Sequence, residues 1–400
     1  MRPWPQRLLQ WYAGHHRDLP WRGHPDPYAV WVSEIMLQQT RVETARGYFV
    51  RFLKRFPAIT DLAAAGTADV LKHWEGLGYY SRARNLQAAA RHVTARLGGR
   101  LPCTAAALGE LPGIGPYTAA AIASICFGER VPVVDGNVAR VFSRYLGWRD
   151  DFRKLPSRRK LADWLQPHMA RMARPGDFNQ AMMELGALIC LPRTPACRQC
   201  PLAATCHARE TGTQAELPAR RERTSILTRH AMAVVIRRHS RVLLVQRRAG
   251  GLLGGFWELP GGEAARQPHV RAASAAACRQ TGLSLSGLSA CGVLTHTFSH
   301  FRLQLAIYRC RLAAGRIRGS SGVRMMWASP ADLARLPVAT AHRRALQVSE
   351  GAAPSTSPLV AGRLGNGAQK VARALRARAS AGGVPEMNKS RTPRAQSGTE

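Results

Sequence analysis

Leu111-Pro-Gly-Ile-Gly-Pro-Tyr117 lies between two stretches of helical periodicity. Gly113 and Gly115 permit a turn tighter than residues bearing a Cβ accept. Pro116 suits the first position of the following helix, where a missing amide costs nothing. In that helix Ala119, Ile122, Ala123 and Cys126 recur at helical spacing and form a buried face. The segment therefore reads as helix, glycine hairpin, helix. Amides exposed at such a hairpin and at the helix start hold a phosphate without reading bases. A glycine turn alone is a weak signal. This one is followed about twenty residues later by Val133-Val-Asp-Gly-Asn-Val138, and the pair is specific.

Composition points the same way. The chain has 400 residues, enough for two or three domains, and carries a formal net charge of +34. That excess attracts polyanions, nucleic acid first and an anionic membrane second. Arginine preference and alanine richness show that part of it is compositional bias. No run of about 18 apolar residues is present, so no membrane span is expected. Met1 to Trp21 has neither a signal-peptide apolar core nor a cleavage site. A cytoplasmic protein working with DNA in a bacterium is expected. Cys103, Cys126, Cys278, Cys291 and Cys310 are scattered and read as small buried hydrophobes in a reducing compartment.

Four further cysteines are not scattered. Cys190, Cys197, Cys200 and Cys206 follow C-x6-C-x2-C-x5-C inside seventeen residues. The run is too short and dense for a disulfide frame. Four thiolates gathered in this way hold a metal ion or an iron–sulfur cluster. The residues allow a four-cysteine zinc site, although zinc sites usually bring two C-x2-C pairs and only one is present. The spacing resembles the [4Fe-4S] loop of the endonuclease III class of DNA glycosylases. Such a loop would organise DNA binding, with Arg193 and Arg198 as candidate phosphate contacts.

Along the chain, residues 1–207 read as helical. Phe178, Met182, Leu185 and Ile189 share one face behind Asp177, a plausible N-cap. Val138, Val141, Phe142 and Tyr145 share another, ended by Gly147. Residues 208–229 are polar and basic and read as a linker. The pattern changes at Ala231: two β-rich runs, 231–236 and 242–246, flank a His239-Ser240 turn, and a later strand covers Leu303 to Tyr308. Residues 230–348 read as an α+β domain. Residues 349–400 are rich in Ala, Gly, Ser, Pro and Arg and read as a disordered basic tail with a short helix near 368–379.

Two carboxylates stand out. Glu34 lies in Val30-Trp-Val-Ser-Glu-Ile-Met-Leu-Gln-Gln-Thr40, on a helix face with Val30, Trp31 and Gln38. A carboxyl among large apolar groups is desolvated, which raises its pKa as a general acid requires. Asp135 precedes a helix. Taken alone, it reads as an N-cap or an Asp-Gly turn.

Together these segments resemble the MutY-type adenine DNA glycosylases over about residues 4 to 345. The resemblance rests on Ser33-Glu-Ile-Met-Leu-Gln-Gln-Thr40, Gly76-Leu-Gly-Tyr-Tyr-Ser-Arg-Ala-Arg-Asn85, Leu111-Pro-Gly-Ile-Gly115, Val134-Asp-Gly-Asn-Val138 and Asn179-Gln-Ala-Met-Met-Glu-Leu-Gly186, in that order and spacing. It implies a two-lobed, all-α helix–hairpin–helix domain with a [4Fe-4S] loop, one lobe carrying the hairpin and the other the loop. It implies excision of adenine opposite 8-oxoguanine or guanine in double-stranded DNA by a monomer, initiating base excision repair. Glu34 matches the acid that protonates adenine, and Asp135 the carboxylate that stabilises the oxocarbenium ion. Tyr117 and Asn137 match residues supporting that pair. Trp21 and Arg22 match the lining of the adenine pocket. Gln39 and Tyr79 match side chains that enter the base stack, and Gly113 and Gly115 the phosphate-holding hairpin. Bifunctional relatives carry Lys at the position of Tyr117, where it forms a Schiff base. Tyr cannot, so a monofunctional enzyme is implied.

Gly254-Gly-Phe-Trp-Glu-Leu-Pro-Gly-Gly262 and Gly282 resemble a Nudix hydrolase. Aligned on Gly282, the two metal-binding glutamates of the Nudix box are replaced by Arg279 and Gln280, so nucleotide hydrolysis is not expected. The family uses this Nudix-like domain to read 8-oxoguanine, and Phe298, Ser299 and His300 match its recognition loop. Tyr117 and the second domain argue against an endonuclease III-like lyase. Retention of both Glu34 and Asp135 argues against a non-catalytic DNA-binding scaffold.

Overall fold

The computed structural model describes residues 2–24, 26–219, 227–248, 250–298, 301–318 and 323–351. Residues 4–210 form helices α1 (Trp4–His15), α2 (Pro27–Leu37), α3 (Val42–Arg55), α4 (Ile59–Ala64), α5 (Thr67–Trp74), α6 (Ser81–Arg96), α7 (Ala105–Gly109), α8 (Pro116–Phe127), α9 (Gly136–Leu146), α10 (Leu155–Met169), α11 (Pro175–Leu188) and α12 (His207–Glu210). They enclose two hydrophobic cores. The first is built by α2 to α8 around Trp31, Phe52 and Trp74. The second joins α1 to α9, α10 and α11 around Leu8, Phe142, Leu165 and Phe178. The hairpin thus belongs to one lobe, and the cysteine segment with the two ends of the helical chain to the other.

Helix α8 serves both lobes. Ala119, Ile122 and Ala123 face the first core, while Ala120 and Ala121 pack with Val133 against Met183 of α11. A helix apolar on every side suits that bridging position. The periodicities behind α9 and α11 hold, with Val138, Val141, Phe142, Phe178, Met182, Leu185 and Ile189 all buried. Asp177 is not the cap of α11. The helix starts at Pro175, whose fixed φ suits the first turn, and Asp177 lies inside that turn paired with Arg174 at 2.7 Å.

The expected iron–sulfur loop is corrected. Among the described residues no group of three or more His, Cys, Asp or Glu side chains could hold a metal ion, so neither the [4Fe-4S] cluster nor the zinc alternative is supported at Cys190, Cys197, Cys200 and Cys206. Two short 3₁₀ turns, Cys197–Gln199 and Ala203–Thr205, fold the segment instead. Its thiols have other partners. Arg144 Nη1 donates to Cys190 Sγ at 3.4 Å, and Cys206 Sγ donates to Arg144 O at 3.6 Å. Burial pushes the Cys200 thiol up to about 12 and raises Cys206 as well. The four cysteines line an apolar pocket with Val141, Leu185 and Leu202. Arg193 and Arg198 are exposed beside it.

Residues 208–219 lie against the helical domain: Leu217 is buried and its carbonyl accepts from Arg144 Nε at 3.0 Å. The second domain contains β1 (Leu227–Val235), β2 (Arg237–Arg238), β3 (Arg241–Gln246), β4 (Trp257–Glu258), β5 (Gly261–Ala264), α13 (Val270–Thr281), β6 (Ser284–Ser286), β7 (Ser289–Thr297), β8 (Phe301–Arg309), β9 (Leu312–Ala314), β10 (Met325–Ala328), α14 (Pro330–Arg335) and α15 (Thr340–Ser349). One sheet has the order β5-β1-β8-β7, with β1 and β8 parallel; a second runs β10-β3-β2, with β4 also on β3; β6 and β9 form a short pair. Alternation along β1 separates two cores. Ala231, Ala233 and Val235 pack with Ala341 and Ala345 of α15, while Met232, Val234 and Ile236 pack with Ala273 and Ala277 of α13. The turn at His239-Ser240 joins β2 to β3, as read from the sequence. The disordered tail and short helix expected over 349–400 fall, beyond Gly351, outside the described residues.

The two domains touch. Phe256 and Ala339 of the second domain are fully buried members of the first helical core. Arg84 Nη1 donates to Gly254 O at 2.9 Å, and Arg343 donates to Glu75 through Nε at 2.7 Å and Nη2 at 3.2 Å.

Candidate active site

Asp26 caps α2 by accepting from Tyr28 N at 2.9 Å, and Pro27 takes the first helical position. Two turns on, this helix delivers Glu34, only 5% exposed. Tyr117, in the first turn of α8, donates from its hydroxyl to Glu34 Oε2 at 2.9 Å. Burial is the main reason the Glu34 carboxyl is pushed up to about 7; the Tyr117 hydrogen bond opposes this and the nearby Asp135 charge adds to it. Burial and the same two carboxylates hold the Tyr117 phenol well above its ordinary value, so it remains a donor.

Asp135 comes from the other lobe as the N-cap of α9. Its Oδ1 accepts from Val138 N at 2.6 Å and its Oδ2 from Asn137 Nδ2 at 3.1 Å. Burial raises its pKa, against the Val138 and Asn137 amides and the Arg140 charge. Asn137 is held in turn: Arg140 Nη2 donates to its Oδ1 at 2.8 Å and to Gly186 O at 2.8 Å. A Cβ on Gly186 would sit 2.6 Å from the Asn137 Cβ, so only glycine lets α11 approach α9 here. The site thus contains one carboxyl that keeps its proton near neutrality and a second fixed by directed amides. The structure brings Glu34, Tyr117, Asp135 and Asn137 together across the two lobes.

Arg22 and Glu184, quoted above within the Asn179–Gly186 segment but given no role there, complete this region. Glu184, 2% exposed, receives Arg17 Nη2 at 2.9 Å and Arg22 Nη2 at 3.0 Å. Burial alone would raise Glu184, but the hydrogen bonds from Arg17 and Arg22 outweigh it and hold the carboxyl at about 2. Arg22 also donates to Gln180 Oε1 at 3.2 Å. Trp21 lies deeper, buried in the first core edge-on to Phe49 at 5.3 Å.

Gln39 and Tyr79 occupy two exposed loops, with φ of 59° and 48°. Non-glycine residues in that region are strained and persist only when their surroundings over-determine them. The brace is Arg82. Its Nη1 donates to Ile35 O at 2.8 Å, to Met36 O at 2.9 Å and to Gln38 O. Its Nη2 donates to Thr40 Oγ1 at 3.2 Å, Leu77 O at 3.2 Å and Gly78 O at 3.1 Å. One buried guanidinium therefore ties both loops together, and burial lowers it to about 10. The hairpin is similarly crowded: Gly113 has φ of 78°, and a Cβ there would meet Asn85 Cβ at 2.5 Å. Gly115 is the N-cap of α8, whose first amides have no partner within the helix.

The chain is similar to known proteins over both of its domains. The profile of the HhH-GPD superfamily of base excision DNA repair proteins matches residues 32–167, and that of the NUDIX domain matches 231–348. The Homo sapiens adenine DNA glycosylase is 36% identical over 407 residues, covering 87% of this chain and 74% of that protein. The Rattus norvegicus adenine DNA glycosylase is 36% identical, covering 86% and 77%. The chain belongs to the adenine DNA glycosylase family. As an adenine DNA glycosylase it hydrolyses an N-glycosyl bond and initiates base excision repair. Among solved structures, a thermostable thymine-DNA glycosylase is 29% identical with a TM-score of 0.48, covering 52% of this chain and 95% of that one. The MutT NUDIX hydrolase from Burkholderia pseudomallei is 25% identical with a TM-score of 0.28, covering 30% and 96%.

In the Nudix-like domain of the glycosylase, Gln280 has a structural use: its Oε1 accepts from Gly261 N at 2.8 Å. Phe298 stacks on Phe301 at 4.5 Å and meets His296 edge-on at 4.7 Å. Ser299 and His300 lie outside the described residues. No helix among the described residues is long and apolar enough to cross a membrane.

Proposed function

We propose that this glycosylase excises adenine paired opposite 8-oxoguanine, and opposite guanine, from duplex DNA, without strand cleavage of its own. The observation that carries the reading is the buried Glu34–Tyr117 pair with Asp135 beside it. The adenine leaves the stack, because its glycosidic bond is inaccessible within the duplex. Protonated Glu34 gives its proton to adenine N7. The C1′–N9 bond breaks with its electron pair passing to the purine, a better leaving group once protonated. The Asp135 carboxylate faces the positive charge left on the sugar, and water completes the hydrolysis. Tyr117 and Asn137 hold the two carboxyls in place. Arg22 and Trp21 shape the adenine side, the Gly113–Gly115 hairpin holds a phosphate, and Gln39 and Tyr79 enter the stack. Phe298 faces the oxidised guanine, and Ser299 and His300, matched to the same recognition loop, lie outside the described residues. Tyr117 offers no amine for a Schiff base. Both carboxyls come from one chain, which supports action as a monomer.

The test is single-turnover cleavage of a duplex holding one adenine opposite 8-oxoguanine, with and without alkali, for the wild type and Glu34→Gln. Strand breaks that need alkali and vanish in the variant are expected. Breaks without alkali, or a borohydride-trapped adduct, would contradict the monofunctional reading.

A further inference from the structure

We propose that Arg343 and Phe256 of the second domain are positioning residues for the Tyr79 loop, so that what the second domain reads is passed to the first through this contact. The inference rests on the reading that Tyr79 enters the stack and that the second domain faces the base opposite adenine.

The loop from Glu75 to Tyr80 is held at both ends by the second domain. At its start, the Glu75 carboxylate, 9% exposed, lies between Lys72 Nζ at 2.9 Å and Arg343 Nε at 2.7 Å. At its end, the Tyr80 ring packs on Phe256 with centroids 4.2 Å apart. The Tyr80 hydroxyl then accepts from Gly76 N at 3.1 Å and closes the loop on itself. Tyr79, with its positive φ and 38% exposure, lies between these anchors. Arg82 restrains the loop from within the first domain: its guanidinium takes the carbonyls of Leu77 and Gly78 and lies 5.6 Å from the Tyr79 ring centre, and its amide donates to Tyr79 O at 2.9 Å. A conformation this strained needs restraint from every side, and the second domain supplies two of its sides.

Within the second domain the same anchors connect to Phe298. Arg247 N donates to Phe256 O at 2.8 Å, and Ala339 N donates to Trp257 O at 3.0 Å, locking the segment before β4 to the start of α15. Leu259 N donates to His342 Nδ1 at 3.1 Å, one residue from Arg343. Arg247, Leu253, Glu258 and His342 then line, with Phe298, one cavity of about 70 Å³. A path therefore runs from the cavity that Phe298 lines, through the 253–259 segment and α15 that line it too, to Glu75 and Tyr80. Such contiguity gives coupling a physical route, and energetic non-additivity is its proof.

The experiment is a double-mutant cycle in the full chain. Tyr79→Ala, Arg343→Met and the combination are compared in single-turnover excision of adenine opposite 8-oxoguanine and opposite guanine. 2-Aminopurine placed beside the lesion reports unstacking. Arg343→Met is expected to slow excision opposite 8-oxoguanine by roughly tenfold or more. It should slow excision opposite guanine much less and reduce the 2-aminopurine signal. The combination should be no slower than Tyr79→Ala alone. Phe256→Leu, which keeps the core filled, should repeat the pattern, and Glu75→Arg with Arg343→Glu should recover part of the rate. Should Tyr79→Ala and Arg343→Met multiply independently, the coupling is overturned while the reading of Tyr79 stands. A Tyr79→Ala rate equal to wild type would overturn that reading and the inference with it. Equal slowing on both substrates, with an unchanged 2-aminopurine signal, would reduce Arg343 to a structural residue and overturn the proposal.

Discussion

Glu34 is the residue at which burial and chemistry meet, and it makes the pH predictions definite. Its folded pKa, about 7, is raised above the ordinary 4.5 mainly by burial. The folded state therefore binds the proton more tightly than the unfolded one. The associated stability is full below pH 4.5 and is lost as pH rises through about 7. Glu34→Gln removes that dependence. The variant should gain on wild type as pH climbs through this window, by on the order of 3 kcal/mol at the top. Chemical denaturation at pH 5 and pH 8 checks this, and an equal difference at both pH values would contradict it. On the proposed roles, excision takes Glu34 protonated and Asp135 ionised, so the single-turnover rate should be bell-shaped in pH, its alkaline limb near 7. Tyr117→Phe deletes a hydrogen bond that lowers the Glu34 pKa, so that limb should move to higher pH even as the rate falls. Glu34 was legible because a carboxyl within a run of large apolar residues has few places to go but inside. Asp135 was legible only in part: its N-cap role and its place beside Glu34 are both real, and spacing along the chain shows only the first. Glu184 stood within a quoted signature segment, but its pairing was not legible, since its partners Arg17 and Arg22 are distant in sequence. The four cysteines misled because spacing says which thiols are near in sequence, not whether their geometry suits a metal.

Between elements, single contacts decide where the site residues stand. Helix α11 reaches α9 because Gly186 leaves room for Asn137. Gly186→Ala should push Asn137 and with it Asp135, slowing excision by roughly a hundredfold through misplacement of the order of an ångström. Duplex binding should survive, because the hairpin lies elsewhere. Single-turnover rates set beside binding isotherms separate the two effects, and parallel losses would show general unfolding instead. The Arg82 brace predicts a different pattern. Arg82→Met strips donors from five carbonyls at the end of α2 and in the two loops. A loss of about 2–4 kcal/mol in denaturant stability is expected, since buried acceptors are left unmade. Arg82→Lys keeps the charge but not the planar fork and should fall between. Equal stability of all three proteins would show that water replaces the guanidinium. The helices themselves were legible from periodicity. Their junctions were not, because a guanidinium that serves two loops leaves no periodic trace, and Pro175 moved the start of α11 ahead of the expected Asp177 cap.

At the scale of the whole molecule, the change of pattern at Ala231 falls inside β1, and alternation along that strand separates two cores that the sequence reading did not distinguish. The docking of the domains could not be read, since Phe256 looks like a residue of its own β-rich segment until the fold buries it among helices. Charge remains to be apportioned. Residues 352–400 hold eight Lys and Arg and two Glu, a net +6, leaving +28 of the total +34 on residues 1–351. Phosphate contacts release counterions, and the slope of log affinity against log salt counts them, at about 0.9 per contact. Truncation after Gly351 should therefore flatten that slope, by at most about 7 if all eight cations touch phosphate. Binding to undamaged duplex should weaken mainly at low salt. The single-turnover rate at saturating enzyme should not change, because Glu34, Asp135 and their supports all lie within the helical domain. Titrations of both proteins across a salt series decide the matter. An unchanged slope would place the whole electrostatic hold on DNA in the two folded domains, and a fallen saturating rate would give the tail a part in the chemistry.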